Sequence, residues 1–537
     1  MAYAPAGPHR GDDRDPSAIV VGGGPVGLAT VLELHRHGIR VALVEPRTDV
    51  EHSRPRAKTT SARTMEYFRR WGIADRVRAA AALPVDWSHR VTFCTTVTGR
   101  EIASIDRVLG LDLTGSDLAA EPAQQVTQPV IEEVLRARVA ELDGIDARFG
   151  WRAVEVSQDA SGATVAIESA AGEREVLAAD WVIGADGARS VVRAAMGARL
   201  EGAAGGRPNV NITFRSRGLA ERIPHAPSIH YWVLNPGAPG VVGPLDLDGT
   251  WWAISTGTES IADDAEAIGL VQGLVGASDL DLEIVATDPW QARLLLADRY
   301  RAGRLFVVGD AAHQNPPWGG HGFNTGVGDA VNLGWKLAAV IAGWAPETLL
   351  DSYESERRPI AAQTIEVAAA NMRALPIELG DPAFLADGRE GEAARERAAA
   401  AILATKDAEF HADALILGYG YTDAATDQCP SLGEYRPIAA AGNRLPHRWL
   451  PDGSSAYDRL GDGLTAIGPD GDTTVLAVAA AARGIPFSVI DGPTPTLVVR
   501  PDQHLAWVGD GVADPRAADA VLDAALAGFA GPAESAG

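Results

Sequence analysis

Cysteine is almost missing: Cys94 and Cys429 are the only two in 537 residues, and no CxxC pair occurs. That speaks against a disulfide framework, a cysteine-ligated metal and a dithiol redox centre, and it suits a reducing cytoplasm. No metal site is expected. Long apolar runs are missing too. No stretch reaches the roughly 18 uninterrupted apolar residues that a membrane helix needs. The most apolar helical piece, around Trp335 to Trp344, carries Lys336 and reads as core. Nor is there a basic surplus: 47 Lys and Arg stand against 71 Asp and Glu, a net charge of −24. A surface this acidic argues against nucleic acid or an anionic membrane as partner. The opening MAYAPAGPHRGDDRDPS lacks the apolar core of a signal peptide and predicts a disordered tail over 1–15.

What is present points to a large core built in several domains. Ser17 to Val21 is a short β-branched run, read as a buried strand, and it leads into Gly22-Gly-Gly24-Pro25-Val26-Gly27. Leu28 to His37 has helical composition and ends at Gly38, a C-cap residue. A second strand over 40–44 is closed by Glu45, with Pro46 and Arg47 after it. In GxGxxG the first glycine permits a tight turn, the second lets backbone approach a pyrophosphate, and the third lets helix and strand pack closely. Glu45 stands 23 positions after Gly22, near the spacing expected of an acid that holds a ribose 2′-hydroxyl. An acid there favours FAD or NAD over NADP as the nucleotide held by this unit; the motif alone does not choose between the two.

Two more segments narrow the choice. An apolar strand at Trp181 ends in Gly184-Ala-Asp186-Gly187-Ala-Arg-Ser190-Val-Val-Arg193. A strand over 304–308 runs into Gly309-Asp310-Ala-Ala-His313, then Pro316-Pro317-Trp318-Gly319-Gly320-His321-Gly322-Phe323-Asn324, then a helix. Asp-Gly is by itself a common turn pair. A buried strand that ends in an acid and leads to a Gly-rich loop at a helix start offers more. The acid can hold a polyol, and the helix start can present N–H groups to negative charge.

Together these three segments resemble the group A flavoprotein monooxygenases, typified by para-hydroxybenzoate and phenol hydroxylases. The likeness runs from Ala18 to Pro359, counting Tyr353-Glu-Ser-Glu-Arg357-Arg-Pro359. It implies that Gly22, Gly24, Pro25, Val26, Gly27, Glu45, Pro46 and Arg47 take the ADP part of FAD. Arg56 would lie beside the flavin and Gln128 near the ribityl or pyrophosphate. Asp186 and Gly187 would contribute to FAD binding and to NADPH or NADH use, Gly309 and Asp310 would hold the ribityl chain, and Pro317, Gly320, Gly322, Phe323 and Asn324 would line the isoalloxazine ring. His321 stands where the family shows Gln; it either shapes the pocket or acts as a base. The resemblance also implies the reaction: NAD(P)H reduces FAD, and O2 is activated as a flavin C4a-hydroperoxide that hydroxylates an electron-rich ring.

The expected architecture is α/β. A discontinuous Rossmann-like FAD-binding domain (16–198 and 296–398) carries an antiparallel-sheet substrate domain (199–295), with 87–96 a possible extra strand. His230, Tyr231, Trp232, Arg215 and Trp251 are candidates to touch a small aromatic substrate, and only one of Tyr231 and Trp232 can point inward. Lys58 and His313 are weaker candidates to activate a phenol; His313 reads first as a structural residue of the turn, and no base is assigned. Residues 399–537, with strands expected at 474–478, 496–500 and 504–508 and a terminal helix over 517–529, resemble the thioredoxin-like extension of the phenol and polyketide hydroxylases. Without CxxC this reads as a stabilising or oligomerising module. Alternatives are a monooxygenase that detoxifies a drug-like polyketide, a flavin halogenase or reductase of the same fold, and a flavin-bearing scaffold. Trp251-Trp252-Ala-Ile-Ser does not match the WxWxIP stretch of the halogenases.

Overall fold

The computed structural model describes residues 16–55, 58–374, 381–422 and 431–531. The expected tail over 1–15, Arg56 and Cys429 lie outside the described residues.

The β-branched run Ala18–Val21 is buried along its whole length and forms a central strand, paired in parallel with Trp181–Gly184 on one side and Val41–Glu45 on the other. Continuous apolar strands of this kind are what a sheet covered on both faces requires. The six-stranded sheet runs Arg301–Ala302, Leu305–Val307, Trp181–Gly184, Ala18–Val21, Val41–Glu45, Ile145–Phe149, and only its first pair is antiparallel. The chain leaves Ala18–Val21 toward one neighbour and later returns on the other side. The C-terminal edge of that strand is therefore a topological switch point, the place where open α/β sheets bind ligands. Gly22, Gly184 and Gly309 all fall at strand ends on this edge, so the three sequence motifs meet there.

A second sheet of seven strands runs Glu283–Trp290, Asn209–Arg215, Thr250–Thr256, Ala238–Pro244, His230–Asn235, Val91–Cys94, Glu101–Ile105. Its pairs are antiparallel except His230–Asn235 with Val91–Cys94. The last two strands come from outside 199–295. Alternation divides its side chains cleanly. Tyr231, Val233, Val242 and Trp251 pack with Val271 and Leu274 of the helix Asp264–Val275. Phe93, Trp232, Val241 and Trp252 face the other way, toward Ala398, Ile402 and Phe410 of the helix Gly388–Phe410.

The C-terminal sheet is ordered Phe487–Asp491, Leu464–Gly468, Thr496–Val499, Leu505–Gly509, with the first pair parallel and the others antiparallel. The expected strand over 474–478 is instead part of the helix Asp470–Ala482. Thr473, Leu476, Ala479 and Ala480 are buried at helical spacing, while Val478 stays exposed. Asp470 and Asp472 in the first turn and the alanine run behind them favour helix over the local β-branched signal.

Buried charge fastens this module to the rest. Arg500 donates to both carboxylate oxygens of Glu356, at 2.8 and 2.7 Å, and to Asp502 at 2.5 Å. Lys336 and Asn332 each donate to Glu356 Oε2 at 2.7 Å. Arg63 donates to the Asp502 carbonyl at 2.9 Å and to Gln503, and Arg444 donates to Glu66 at 2.5 Å. The C-terminal strands thus dock on the helices Ala62–Arg70, His321–Ile341 and Asp351–Arg373, two of which carry site residues.

Candidate functional site

At the end of the strand Ala18–Val21 the chain turns at Gly22, whose φ of +105° lies in the region that favours glycine. A Cβ on Gly27 would fall on the Gly22 carbonyl and within 3.2 Å of Ala185, so the helix Pro25–Arg36 can approach only with glycine there. Gly24 differs: a Cβ on it would meet nothing within 4 Å. The helix starts at Pro25, has no side-chain cap and has no acid in its first turn. Its first N–H groups have no side-chain cap, and the backbone before them is open at Gly24, which suits a phosphate. Glu45, 4% exposed, accepts from Gly23 N at 2.7 Å and from the backbone and side chain of Arg47 at 3.0 and 2.8 Å. Arg47 also donates to Glu132 at 3.0 Å.

The second motif turns at Gly187, φ +71°. Asp186 accepts from Val191 N at 2.7 Å, while its Oδ1 is buried without a partner. Burial pushes its carboxyl upward. In the third motif Gly309 has φ +58°, and Asp310 beside it is exposed. A Cβ on Gly326 would lie 2.7 Å from Val26 and 3.1 Å from Gly309, so this glycine lets the helix His321–Ile341 close onto the nucleotide turn.

One hub that sequence reasoning did not identify holds the third motif. Asp329, fully buried, accepts from Gly309 N at 3.1 Å, His313 Nε2 at 2.8 Å and Arg357 Nε at 2.8 Å. Burial would raise its carboxyl, but His313 and Arg357 hold it below the ordinary range. Arg357 reaches on to the Thr325 carbonyl at 3.0 Å and stacks 5.3 Å from the Tyr419 ring. His313 is a buried support of the turn, as the sequence reading has it. The hub's only sequence trace is the buried-polar pattern of Asp329 and Arg357 at helical positions.

The loop before the helix His321–Ile341 contains two consecutive left-handed glycines, Gly319 at φ +79° and Gly320 at φ +68°. Gly320 is the N-cap, without a side-chain cap, so a second helix start presents free N–H groups on this edge. Pro317 is exposed, and Gly322, Phe323 and Asn324 are half-buried. The Asn324 amide is spent on the protein: it donates to the Gly320 and Thr59 carbonyls at 2.7 and 3.1 Å and accepts from Ser61 N and Thr64 Oγ1 at 2.9 and 2.7 Å. It pins the loop. His321, 4% exposed, has its ring pushed down to about 4 by burial and is neutral near pH 7, with Nε2 unpartnered. Gln128, half-buried, opens the helix Gln128–Ala140.

Beside this loop lies the Trp232 face of the seven-stranded sheet. His230 stands between the indoles of Trp232 and Trp252, 6.2 Å from each. The Nε1 atoms of both indoles and His230 Nε2 are buried without partners. Lys58 Nζ donates to the Ile229 and Pro244 carbonyls at 2.7 and 3.3 Å, 5.2 Å from the Trp252 ring. Trp252 was not anticipated, because one register step decides which of two adjacent tryptophans faces inward. Tyr231, Trp251 and Arg215 are not in this group. Tyr231 lies on the opposite face, its hydroxyl accepting from Ser228 N at 3.2 Å. Trp251, on that same face, donates to the Ser216 carbonyl at 3.2 Å. Arg215 is exposed and pairs with Glu283 at 3.1 Å.

The donor set fits FAD: two uncapped helix starts, an open glycine, an exposed acid and a buried carboxyl oxygen without a partner meet at one sheet edge. Among the described residues no group of His, Cys, Asp and Glu could hold a metal, and no helix is long and apolar enough to cross a membrane.

Comparison with known proteins agrees. Residues 15–368 match the family model of the FAD binding domain. An alignment of 361 residues at 37% identity joins 66% of the chain to 64% of a Streptomyces halstedii protein described as a candidate polyketide hydroxylase. Over 558 residues the chain is 31% identical to 4-methyl-5-nitrocatechol 5-monooxygenase of a Burkholderia species, covering 94% of this chain and 96% of that protein. Among solved structures, the flavin-dependent monooxygenase PieE in complex with FAD and substrate superposes with a TM-score of 0.86 at 29% identity, over 96% of this chain and all of that one.

Proposed function

The chain belongs to the FAD-dependent aromatic monooxygenases, and on that premise we propose that it hydroxylates a phenolic ring seated between the Pro317 to Asn324 loop and the Trp232 face of the seven-stranded sheet. FAD supplies the reduction of O2 and the transfer of one oxygen, with NADPH or NADH as transient reductant. The protein's share is placement, charge and exclusion of water. In this reading Gly22, Gly24 and Gly27 admit the pyrophosphate to the first helix start. Glu45 takes a ribose hydroxyl, exchanging or sharing its bond to Gly23. Asp310 takes the ribityl chain, and the start of the helix His321–Ile341 stabilises negative charge on the flavin. Asn324 acts by fixing the loop.

The observation that carries the reading is the coincidence of two uncapped helix starts with a face of buried, unpartnered polar atoms beside them. Such atoms in folded proteins are completed by ordered water or by a ligand, and three of them converge here beside the loop. Relatives that act on a nitrocatechol and on polyketides support an oxygenated aromatic as the substrate. A cytoplasmic, homo-oligomeric enzyme of aromatic degradation or secondary metabolism, detoxification included, is consistent with this. The C-terminal strand order, with a parallel first pair and two antiparallel ones, supports a thioredoxin-like module that serves structure.

The test is the flavin spectrum of the purified protein, followed by NAD(P)H oxidation with a panel of phenols. Bound FAD and oxidation stimulated by a phenol that is itself hydroxylated would uphold the proposal. Bound FAD with no response to any aromatic would refute it.

A further inference from the structure

Lys58 is a half-buried cation with no carboxylate partner among the described residues. Among the described residues its ammonium touches only two carbonyls and an indole face, and no acidic side chain pairs with it. Among the described residues the charged and titratable groups on this side are His230, Lys406 with Glu409, and His321. His230 is held neutral by burial and by the nearby Lys58 and Lys406. Lys406 is matched by Glu409 at 2.6 Å, and His321 is neutral. A charge drawn out of water without an ionic partner is costly, and the desolvation of its ammonium accordingly pushes Lys58 down to about 7. A neutral amine has two hydrogens and one lone pair. The two carbonyls use the hydrogens, so the lone pair is left over. The position is equally telling: Thr59, the next residue, touches the flavin loop, since a Cβ on Gly320 would lie 3.2 Å from it. The other unpartnered atoms on this face include two indole N–H groups, which can only donate.

We propose that Lys58 is the charge partner of the substrate: its Nζ takes the proton of a phenol, and the resulting ammonium and phenolate bind as an ion pair, with the indole N–H groups serving further oxygens of the ring. The inference rests on the hydroxylase reading and names its substrate class, an acidic phenol bearing additional hydrogen-bond acceptors. The step balances without a co-reactant: the phenol O–H bond breaks, an N–H bond forms on Lys58, and no electrons leave the pair. It prepares the ring, because a phenolate is more electron-rich than a phenol.

The experiment is a spectral pH titration of 4-nitrophenol and related nitrophenols bound to the holoenzyme. The expected result is that the bound probe ionises about one to three pH units lower than the free probe. Lys58→Arg should keep the shift. Lys58→Met, with its flavin spectrum confirming that the site is folded, should abolish the shift and weaken binding of the ionised probe about tenfold or more. A bound probe that titrates like the free one, an unchanged shift in Lys58→Met, or failure of every nitrophenol to bind would overturn the inference. NAD(P)H oxidation on the same samples separates the two readings. Phenol-stimulated turnover without a probe shift leaves the hydroxylase and removes Lys58 from the role. A probe shift without turnover on any aromatic does the reverse.

Discussion

Replacing Arg357 by Met should loosen the flavin site without touching a flavin-facing residue. Met keeps much of the buried volume and removes the charge. Arg357 is 1% exposed, and Asp329, its partner at 2.8 Å, is fully buried. Taking one member from a buried pair costs about 3–5 kcal/mol, because the other charge stays behind uncompensated. Asp329 keeps His313 and Gly309 N, so the lower end of that range is expected. At about 2.1 cal/mol/K of unfolding entropy per residue, the melting temperature should fall by roughly 3 °C. FAD should bind about tenfold more weakly, since the turn carrying Asp310 hangs on the same carboxylate. The sign with pH also follows. A depressed carboxylate contributes stability above its unfolded value and loses it as pH falls. Without Arg357 the carboxyl of Asp329 sits higher, so the variant should lose stability at higher pH than the parent. Thermal unfolding across pH, with flavin fluorescence for affinity, reads all three. Adding Asp329→Asn should restore part of the loss, because it removes the stranded charge. An Arg357→Met protein with parental melting and FAD affinity would refute the hub.

Gly27→Ala should give a colourless apoprotein, because the added Cβ would lie on the Gly22 carbonyl; flavin absorbance after purification and reconstitution checks it. Glu356 is held down at about 2 by Arg500 and Lys336 against burial, so its stabilising contribution is fully present above the ordinary carboxylate range and is lost as pH falls toward 2. Glu356→Gln should be less stable at neutral pH and show a flatter acid limb in denaturant titrations. Tyr231→Phe and Arg215→Ala, both off the inner face, should keep phenol-stimulated NAD(P)H oxidation within about twofold, whereas His230→Ala and Trp252→Phe should not; a steady-state comparison of the four decides.

The nucleotide turn was legible because backbone geometry dictates it. A strand, three glycines at fixed offsets and an acid are local demands; Gly22 makes the turn and Gly27 admits the helix as the motif requires, and Gly24 is left open. The inner sheet face was half legible. Alternation said that only one of Tyr231 and Trp232 could point inward, but not which, since the choice depends on strands 91–94 and 101–105 pairing from elsewhere in the chain. The strand expected at 474–478 failed for a related reason. Five residues of β-branched composition cannot be told from a helix until the flanking acids and alanines are weighed with them. The Asp329 hub was legible only as a trace: Asp329 and Arg357 stand as polar residues on two helices, and that they meet each other and His313 is decided by packing, not by their spacing.

The C-terminal module reads differently once its contacts are seen. A tethered accessory domain would meet its neighbour across a modest polar interface. Here Arg500, fully buried, completes a carboxylate on the helix that also carries Arg357, one residue from Glu356. Tyr419 stacks on that same Arg357, and Arg63, from the helix pinned by Asn324, is satisfied by Asp502 and Gln503. Glu66 also pairs with Arg63, Glu356 with Lys336 and Arg500 with Asp502 inside their own halves, but buried Arg444 has its carboxylate, Glu66, only across the boundary, and stranding that ion would cost about 3–5 kcal/mol. The module has no dithiol to contribute chemistry. The helix Asp351–Arg373 is tied on both sides: Glu356 to Arg500 of the module, and Arg357 to Asp329, the carboxylate that also holds the Gly309 turn.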